Sequence, residues 1–422
     1  MQNDVTGRSL TCPNGGASIT RVILYHKTEF GRAERHSQSA LRANAARDRL
    51  AGWLAAPGAP AGLVLTRPAS VAWATGGVAP PVDRSADTDL VWVVITPAGA
   101  GLITTEVEAG RIAEEYQPAR HGFTDLAAVP WYRPGEFVRA AEELAGAPAS
   151  RLAGDGHPAF AVDASGDLTG LRLALSSPER EELRALGGDA AAALEGALAS
   201  WAPGERDLDV QARVAASLEA RGADAPVLIV GGDDRVRRYR HPMAVGAPAR
   251  QLVMAVVVAR RAGLHAAATR FACAGPLPPE LRALRARVCR IERDTLAQSR
   301  PAGSYGQALS ALDAGYAREG VPGGWAGHYQ GGPIGFAQRE FEIAPCQRDS
   351  RWYSTRIEAG HAVAWNPSLP GGAKAEDTYL VATGGLERVT AGRDGPDDPS
   401  GPAWPVDDGD DVVPPRPAVL EV

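Results

Sequence analysis

The chain has 422 residues, of which 45% are hydrophobic and 22% charged, and its net charge is −6. This balance predicts a globular protein of two or three domains and excludes a wholly disordered chain. No apolar run is long enough for a membrane-spanning helix, the N-terminus lacks the apolar core of a signal peptide, and no basic patch indicates nucleic-acid binding. The four cysteines are far apart and form no CxxC pair, so neither a zinc knuckle nor a disulfide framework is expected, and a reducing cytoplasm fits best.

The first half of the chain alternates between two kinds of segment. Residues 1–38 are polar and irregular, and they are predicted to form a loose N-terminal arm. From Ser39 onward, stretches with helical periodicity alternate with short apolar runs such as VWVVIT at 91–96. The alternation predicts an α/β domain over residues 39–172.

A second domain is predicted over residues 173–392. Ser177 and Pro178 mark the start of its first helix, and the apolar runs VLIVGG, LVMAVVVARR and LHAAATRF then read as strands. Residues 391–422 hold seven Asp and seven Pro, a composition that cannot bury much apolar surface. Residues 393–422 are therefore predicted to be a solvated or wrapping tail, with Trp404 as the residue that would anchor it.

An ordered set of short motifs in the second domain carries a family resemblance. The motifs are His241-Pro242, Thr269-Arg270, HYQGGPIGFAQRE at 328–340, AWNPS at 364–368 and KAEDT at 374–378. In this order they resemble the creatinase/aminopeptidase P family over about residues 40–390. The resemblance implies an α/β (α+β) fold class, with a creatinase-like N-terminal domain followed by a C-terminal domain of the pita-bread fold.

The resemblance also implies where a metal centre would be. Peptidases of this family hold two divalent metal ions with two Asp, one His and two Glu. Four of the five corresponding positions here have lost the family's ligand, and they are Val256, Ala267, Gly332 and Asn366. Only Glu376 is kept. Because divalent ions need oxygen or imidazole donors, the sequence predicts that neither a metal nor another cofactor is bound.

Creatinase shares the fold and works without metal, and the chain is similar to it at two places. His241 stands before Pro242 where creatinase has the His that transfers protons. Arg339 ends the segment in which the corresponding Arg of creatinase holds the substrate carboxylate. The resemblance therefore implies that His241 is the proton-transfer group and that Arg339 is the carboxylate clamp.

The remaining candidate residues lie in the same motifs. His328 is expected to orient or polarise the scissile group. Glu376, as a buried carboxylate without metal, is expected to have a raised pKa and to act as an acid or a base. Asn366 is expected to face a neutral or anionic group of the substrate. The expected substrate-binding set is completed by Tyr329, Glu340 and Trp365, whereas Arg270 reads as an ion-pair partner in the core.

Three functional hypotheses follow. The first is a metal-independent, cytoplasmic hydrolase or lyase that acts on a C–N bond of a small polar carboxylate. As the resemblance implies, it would form a homodimer, and it would bind neither nucleic acid nor membrane. The second is a catalytically inactive relative that binds a peptide or a small ligand. The third is an Xaa-Pro-type peptidase with a single metal ion on Glu376 and either His265 or His328, and the small number of ligands argues against it.

Overall fold

The computed structural model of the protein describes residues 8–9, 20–21, 33–77, 82–391, 404–407 and 414–422. The chain divides into two compact units, Met1–Arg172 and Leu173–Val422. Each unit combines helices with a sheet, so the predicted α/β class is confirmed. Among the described helices, none is both long enough and apolar enough to cross a membrane.

The first unit is built on one mixed sheet that carries an apolar core. Trp92 of the sheet contacts Phe137 of a neighbouring helix, with ring centroids 4.9 Å apart. The eight described strands, in spatial order, are Arg8–Ser9, Thr20–Arg21, Asp125–Val129, Gly99–Thr105, Trp92–Thr96, Gly62–Leu65, Leu152–Gly154 and Val162–Asp163. The α-helices are Ala33–Leu54, Pro68–Thr75, Glu106–Arg111, Gly135–Ala145 and Ser165–Arg172.

The described part of the N-terminal arm differs from the prediction of a loose, irregular segment. Strands Arg8–Ser9 and Thr20–Arg21 pair with each other, and Thr20–Arg21 pairs with Asp125–Val129. Helix Ala33–Leu54 begins before Ser39, where the periodic pattern becomes visible. Backbone pairing with the sheet needs no apolar pattern, which is why composition alone did not predict these strands. The rest of residues 1–32 lies outside the described residues.

The second unit contains an antiparallel sheet whose strands carry Val256 and Ala267, two positions that the resemblance aligns with metal ligands. Strands Leu252–Arg261 and Leu264–Cys273 are adjacent along their whole length, and both are buried through β-branched and small apolar side chains. In spatial order, the four described strands of this sheet are Leu420–Glu421, Leu264–Cys273, Leu252–Arg261 and Asp224–Gly232.

A second sheet and two short hairpins complete this unit. The sheet strands in spatial order are Gly331–Pro333, Ala362–Trp365, Tyr379–Ala382 and Gly385–Arg388. One hairpin pairs Ser368–Leu369 with Ala373–Lys374, and the other pairs Val406–Asp407 with Arg416–Pro417. The α-helices are Ser177–Ala199, Asp207–Ala220, Asp233–Arg238, Pro279–Gln298, Tyr305–Arg318 and Arg351–Ser354.

The first helix of the unit starts one residue earlier than the sequence indicated. Its N-cap is Ser176 rather than Ser177, and the Ser176 N–H donates a 2.6 Å hydrogen bond to the Glu179 carboxylate. This contact satisfies one of the backbone donors that a helix start leaves open. Arg270 is confirmed as a core ion-pair partner, because its buried guanidinium contacts Glu195 at 2.9 Å and Asp377 at 3.0 Å.

The described parts of the tail wrap onto the second unit. Strand Leu420–Glu421 adds in parallel to Leu264–Cys273, and the Trp404 indole is buried and donates to the Ala418 carbonyl. Arg416 reaches the buried Glu292 carboxylate at 3.1 Å. The tail is therefore attached through Leu420–Glu421 and Arg416, while the Trp404 indole bonds to Ala418 within the tail itself, so that its role as the anchor stays a prediction. Residues 392–403 and 408–413 lie outside the described residues.

Candidate active site

Two of the four altered ligand positions lie in the middle of the paired strands. Val256 is directly opposite Thr269, and Ala267 is directly opposite Val258. The side chains of Val256 and Ala267 are buried and apolar. Directly opposed residues project to the same face of a sheet, so the Thr269 hydroxyl lies beside a wall formed by the methyl groups of Val256, Val258 and Ala267. That wall offers a metal ion no donor apart from the Thr269 hydroxyl.

The third altered position, Gly332, has a backbone that favours glycine. Its φ of 139° lies in a region that side-chain-bearing residues rarely adopt. A Cβ added there would also contact the Trp365 ring at 3.7 Å and the Tyr329 hydroxyl at 3.8 Å. A histidine at this position would therefore have a strained backbone, although its Cβ would make only ordinary van der Waals contacts.

Glu376, the one retained ligand, is buried and is fully engaged by protein groups. Its Oε2 accepts a 2.7 Å hydrogen bond from the Thr269 hydroxyl and lies 2.8 Å from Lys374 Nζ. Its Oε1 accepts a 3.3 Å hydrogen bond from Asn366 Nδ2. An ammonium group is thus bonded to the carboxylate that would bind a metal ion in the family's peptidases.

This environment overturns the expectation of a raised pKa for Glu376. Burial acts to raise the pKa of the carboxyl group, but Lys374 and the hydrogen bonds from Thr269 and Asn366 outweigh it and lower the pKa. The carboxyl is therefore ionised at neutral pH. It acts as a fixed negative charge rather than as a titrating acid or base.

Lys374 is one of the site residues that were not predicted from the sequence. It is one of only two lysines in a chain whose other cations are arginines, and its side chain is 7% exposed. In an extended segment, residues two apart project to the same side, so Lys374 and Glu376 are placed to meet. The motif KAEDT contained this signal.

His241 and His328 lie beside each other, with ring centroids 6.2 Å apart. Partial burial lowers the pKa of His241, and the positive charges of Lys374, Arg339 and Arg240 lower it further, although Glu376 opposes them. The imidazole of His241 is exposed and neutral at neutral pH, so it can accept a proton. The structure thus brings His241 together with the Glu376 cluster.

His328 is held in one tautomer by two short contacts. Its Nδ1 lies 2.6 Å from the Tyr329 carbonyl, so this nitrogen carries the proton, and its Nε2 accepts a 2.6 Å hydrogen bond from the Ser368 hydroxyl. Burial lowers the pKa of His328 to about 4. At neutral pH both nitrogens are occupied, so His328 positions Ser368 and does not shuttle protons. Ser368 ends the motif AWNPS, but it was not among the predicted site residues, because its partner His328 is 40 residues away.

Arg339 lies at the exposed edge of this group. Its guanidinium is bonded to Glu342 and stacks over the Tyr329 ring, with the central carbon 4.4 Å from the ring centroid. The Tyr329 hydroxyl donates to the Phe341 carbonyl at 3.0 Å, and the buried Glu340 accepts from the Ala337 N–H at 3.1 Å. Tyr329 therefore supports Arg339, whereas Glu340 stabilises a loop.

The side chains of Asn366 and Trp365 lie in different environments, although the two residues are adjacent in sequence. The Asn366 Oδ1 is buried and has no hydrogen-bond partner within the described part of the chain. Trp365 is fully buried, and its indole donates to the Ser299 hydroxyl at 2.9 Å. The expectation that Trp365 binds substrate is therefore wrong, because strand alternation turns its ring into the core.

The residues present do not fit a divalent metal centre. Over the described ranges, no three His, Cys, Asp or Glu side chains come close enough to hold one ion. Both oxygens of Glu376 are already bonded to protein donors, and one of these is itself a cation. His265 is also engaged, because its Nδ1 bonds to the Gly335 carbonyl at 3.1 Å.

One family model and several solved structures are similar to this chain. Residues 181–383 match the model of metallopeptidase family M24. The prolidase of Pyrococcus horikoshii OT3 superposes with a TM-score of 0.64 at 15% identity, covering 82% of this chain and 98% of that one. Dipeptidase PepE of Mycobacterium ulcerans gives a TM-score of 0.63 at 20% identity, covering 86% and 97%. The Xaa-Pro dipeptidase of Bacillus anthracis gives 0.61 at 18%, covering 86% and 99%. No curated protein sequence matches the chain.

These findings confirm the resemblance that the ordered motifs predicted. The chain has the fold of the creatinase/aminopeptidase P proteins, and its second unit carries the match to family M24. The identities are low, so the likeness to the solved structures establishes the fold, and the chemistry has to be argued from the side chains of this chain.

Proposed function

We propose that this protein is a metal-independent enzyme with the M24 fold, a hydrolase or lyase that acts on a C–N bond of a small carboxylate. The observation that carries the proposal is the Lys374–Glu376 pair, with its 2.8 Å contact in the place of the family's metal-ligand carboxylate. In a metallopeptidase, a metal ion supplies positive charge to a reacting group. In this chain the Lys374 ammonium would supply positive charge at that place.

The group proposed to move the proton is His241. Its imidazole is exposed, and its lowered pKa keeps it neutral and able to accept a proton at neutral pH. Nearby cations oppose protonation in the resting state, so the proton would pass on readily to a leaving nitrogen. If the reaction is hydrolysis, the nucleophile is a water molecule that His241 activates.

Two further groups support a substrate with a carboxylate and an N–H group. Arg339 has a planar guanidinium suited to bidentate binding of a carboxylate. Its present partner Glu342 is on the surface, so replacing that ion pair with a substrate carboxylate loses little free energy. The unpartnered Asn366 Oδ1 is an acceptor for an amide or amine N–H. Together these groups would orient the bond between them.

A second candidate function is ligand binding without turnover. The state of His328 favours this function, because both of its ring nitrogens are already hydrogen-bonded. His241 therefore has no second histidine that could relay a proton. A third, the Xaa-Pro-type metallopeptidase, requires a metal ion that the donor set around Glu376 does not accommodate.

The test begins with elemental analysis of the purified full chain, together with turnover assays. The assays would use N-acyl and N-carbamoyl amino acids, guanidino acids and Xaa-Pro dipeptides, with and without chelator. We expect no stoichiometric metal and chelator-resistant turnover of at least one compound. About one equivalent of Mn, Zn, Co or Fe, or activity that a chelator abolishes, would overturn the proposal.

The variant His241→Ala separates catalysis from binding. In the proposed enzyme it abolishes turnover while calorimetry still detects the substrate, because the remaining binding groups are intact. Arg206→Ala, which removes a surface arginine paired with Asp209, is the control and should keep full activity. If His241→Ala turns over as the wild type does, His241 has no part in the mechanism.

A further inference from the structure

A small basic cavity lies next to the Glu376 cluster, and nothing above assigns it a role. Its volume is about 180 Å³, below the range of about 300–1,000 Å³ for pockets that hold drug-sized ligands. One wall is helix Asp233–Arg238 with the two residues that follow it, and the other is the hairpin from Ser368 to Lys374. The polar side chains lining it are Arg237, Arg238, Tyr239, Arg240, Ser368 and Lys374.

The charges around this cavity do not balance. Arg238 lies 3.6 Å from Asp234, and Lys374 is paired with Glu376. Arg237 and Arg240 have no carboxylate partner among the residues described. The cavity wall therefore carries an excess of about two positive charges.

Arg240 is the arginine whose excess charge most clearly indicates a bound anion. Its side chain is half-buried, and burial lowers the pKa of its guanidinium, an effect that the nearby Tyr316 opposes only in part. Removing a charge from water without a partner is costly, and such groups in proteins are paired with an opposite charge or bind one. A fully exposed arginine keeps its hydration and therefore does not need a partner.

The hairpin turn lies directly against the opposite wall, because the Gly371 N–H donates a 3.3 Å hydrogen bond to the Arg237 carbonyl. Its turn, Pro370-Gly371-Gly372, has φ values of 100° and 102° at the two glycines, a region that favours glycine. A Cβ on Gly372 would lie 3.4 Å from the Val236 carbonyl oxygen, so a side chain there would narrow the cavity. The two glycines therefore keep the cavity open beside the arginines, whose planar guanidiniums are suited to bind phosphate.

We infer that this cavity binds a small doubly charged oxyanion, either inorganic phosphate or the phosphate group of a small molecule. Two unpaired guanidiniums match the charge of about −1.5 to −2 that a phosphate group carries at neutral pH. A single carboxylate would neutralise only half of the excess. The site goes beyond the proposed function, because it requires no turnover and does not include His241.

The test is calorimetric titration of the full-length protein in a phosphate-free buffer at low salt. Three probes are used separately: inorganic phosphate, phosphoethanolamine as a small phosphate monoester, and acetate. We expect saturable binding of phosphate or of the monoester, and much weaker binding of acetate. Tighter binding of the monoester points to a phosphorylated small molecule, and tighter binding of phosphate points to the free ion.

Matched variants locate the binding to the cavity. Arg240→Gln removes one unpaired charge and should weaken phosphate binding by about tenfold or more. Arg237→Gln should act in the same direction and serves if the first variant does not fold. Arg206→Gln removes a surface arginine that is already paired with Asp209 and should leave the affinity unchanged.

Three outcomes would overturn the inference. They are the absence of saturable phosphate binding, acetate binding as tight as phosphate binding, and equal affinities in the Arg240→Gln and Arg206→Gln proteins. His241→Ala should bind phosphate as the wild type does, so failure of the proposed reaction and failure of this site give different results.

Discussion

Removal of the Lys374 ammonium is the sharpest test of the site described above. The contact is 2.8 Å long, and the two side chains are 7% and 5% exposed, so the pair is nearly out of water. In Lys374→Met, Glu376 keeps its hydrogen bonds from Thr269 and Asn366 but loses its only cationic contact in the described part of the site. Breaking a buried ion pair by removing one partner costs about 3–5 kcal/mol.

Protonation sets an upper limit to this cost. The variant can avoid the buried charge by protonating Glu376, and for a carboxyl of ordinary pKa this costs about 3.5 kcal/mol at pH 7, at about 1.36 kcal/mol for each pH unit. We therefore expect Lys374→Met to lose about 3 kcal/mol of unfolding free energy at pH 7.

The loss should shrink as the pH falls. In the wild type the pKa of Glu376 is lowered, so its contribution to stability is present above the ordinary pKa and is lost as the pH falls through the folded value. In the variant the pKa is raised, so the folded state gains stability as the pH approaches the ordinary value. The difference between the two proteins at pH 5 should be about 1 kcal/mol.

The assay is urea unfolding of the full chain at pH 7 and pH 5, followed by tryptophan fluorescence. The matched control is Arg184→Met, which removes an exposed ion pair with Glu387 whose side chains are 44% and 41% exposed. It should cost less than about 1 kcal/mol at both pH values. The reasoning would be refuted by a loss below about 1 kcal/mol in Lys374→Met at pH 7, or by a loss that does not change with pH.

Three further predictions concern the frame around the site. His265, His328 and His361 each have a pKa lowered to about 4, mainly by burial, so their stabilising contribution is full above about pH 6.5 and is lost as the pH falls toward 4. Their NMR signals should not titrate between pH 8 and pH 5, and titration near pH 6.5 would contradict the buried placement. Arg270→Met leaves Glu195 and Asp377 without their shared cation, and it should lower the unfolding free energy by about 3–5 kcal/mol in urea. A cost like that of a surface pair would refute the buried contacts. Trp404→Ala should cost about 3–5 kcal/mol and lower the melting temperature, because the ring is buried. An unchanged melting temperature would mean that the tail is not anchored.

The Lys374–Glu376 pair also clarifies what happened to the family's site chemistry. Glu376 does not line a vacant acidic pocket, since its carboxylate is bonded to an ammonium, a hydroxyl and an amide. A buried carboxylate without a counter-charge would be strongly destabilising. The lysine is therefore the residue that makes Glu376 compatible with the folded state.

The sequence by itself determined the class of the fold, and through the family resemblance it predicted which positions lack metal donors. Apolar runs predict strands over residues 252–261 and 264–271, and the structure has them at Leu252–Arg261 and Leu264–Cys273. The side chains of Val, Ala and Gly offer a metal ion no donor atom. The first conclusion depends on local pattern, and the second depends on the resemblance together with side-chain chemistry. The prediction that His241 and Arg339 carry the chemistry stays a prediction.

The tertiary structure alone decided which side chains meet. Thr269 and Glu376 are 107 residues apart, and His328 and Ser368 are 40 apart, so no local periodicity links them. The same holds for Trp365, which faces the core while its neighbour Asn366 faces the site. Contacts of this kind depend on strand register and on the path of the loops between strands. A shift of one residue would turn each side chain to the opposite face.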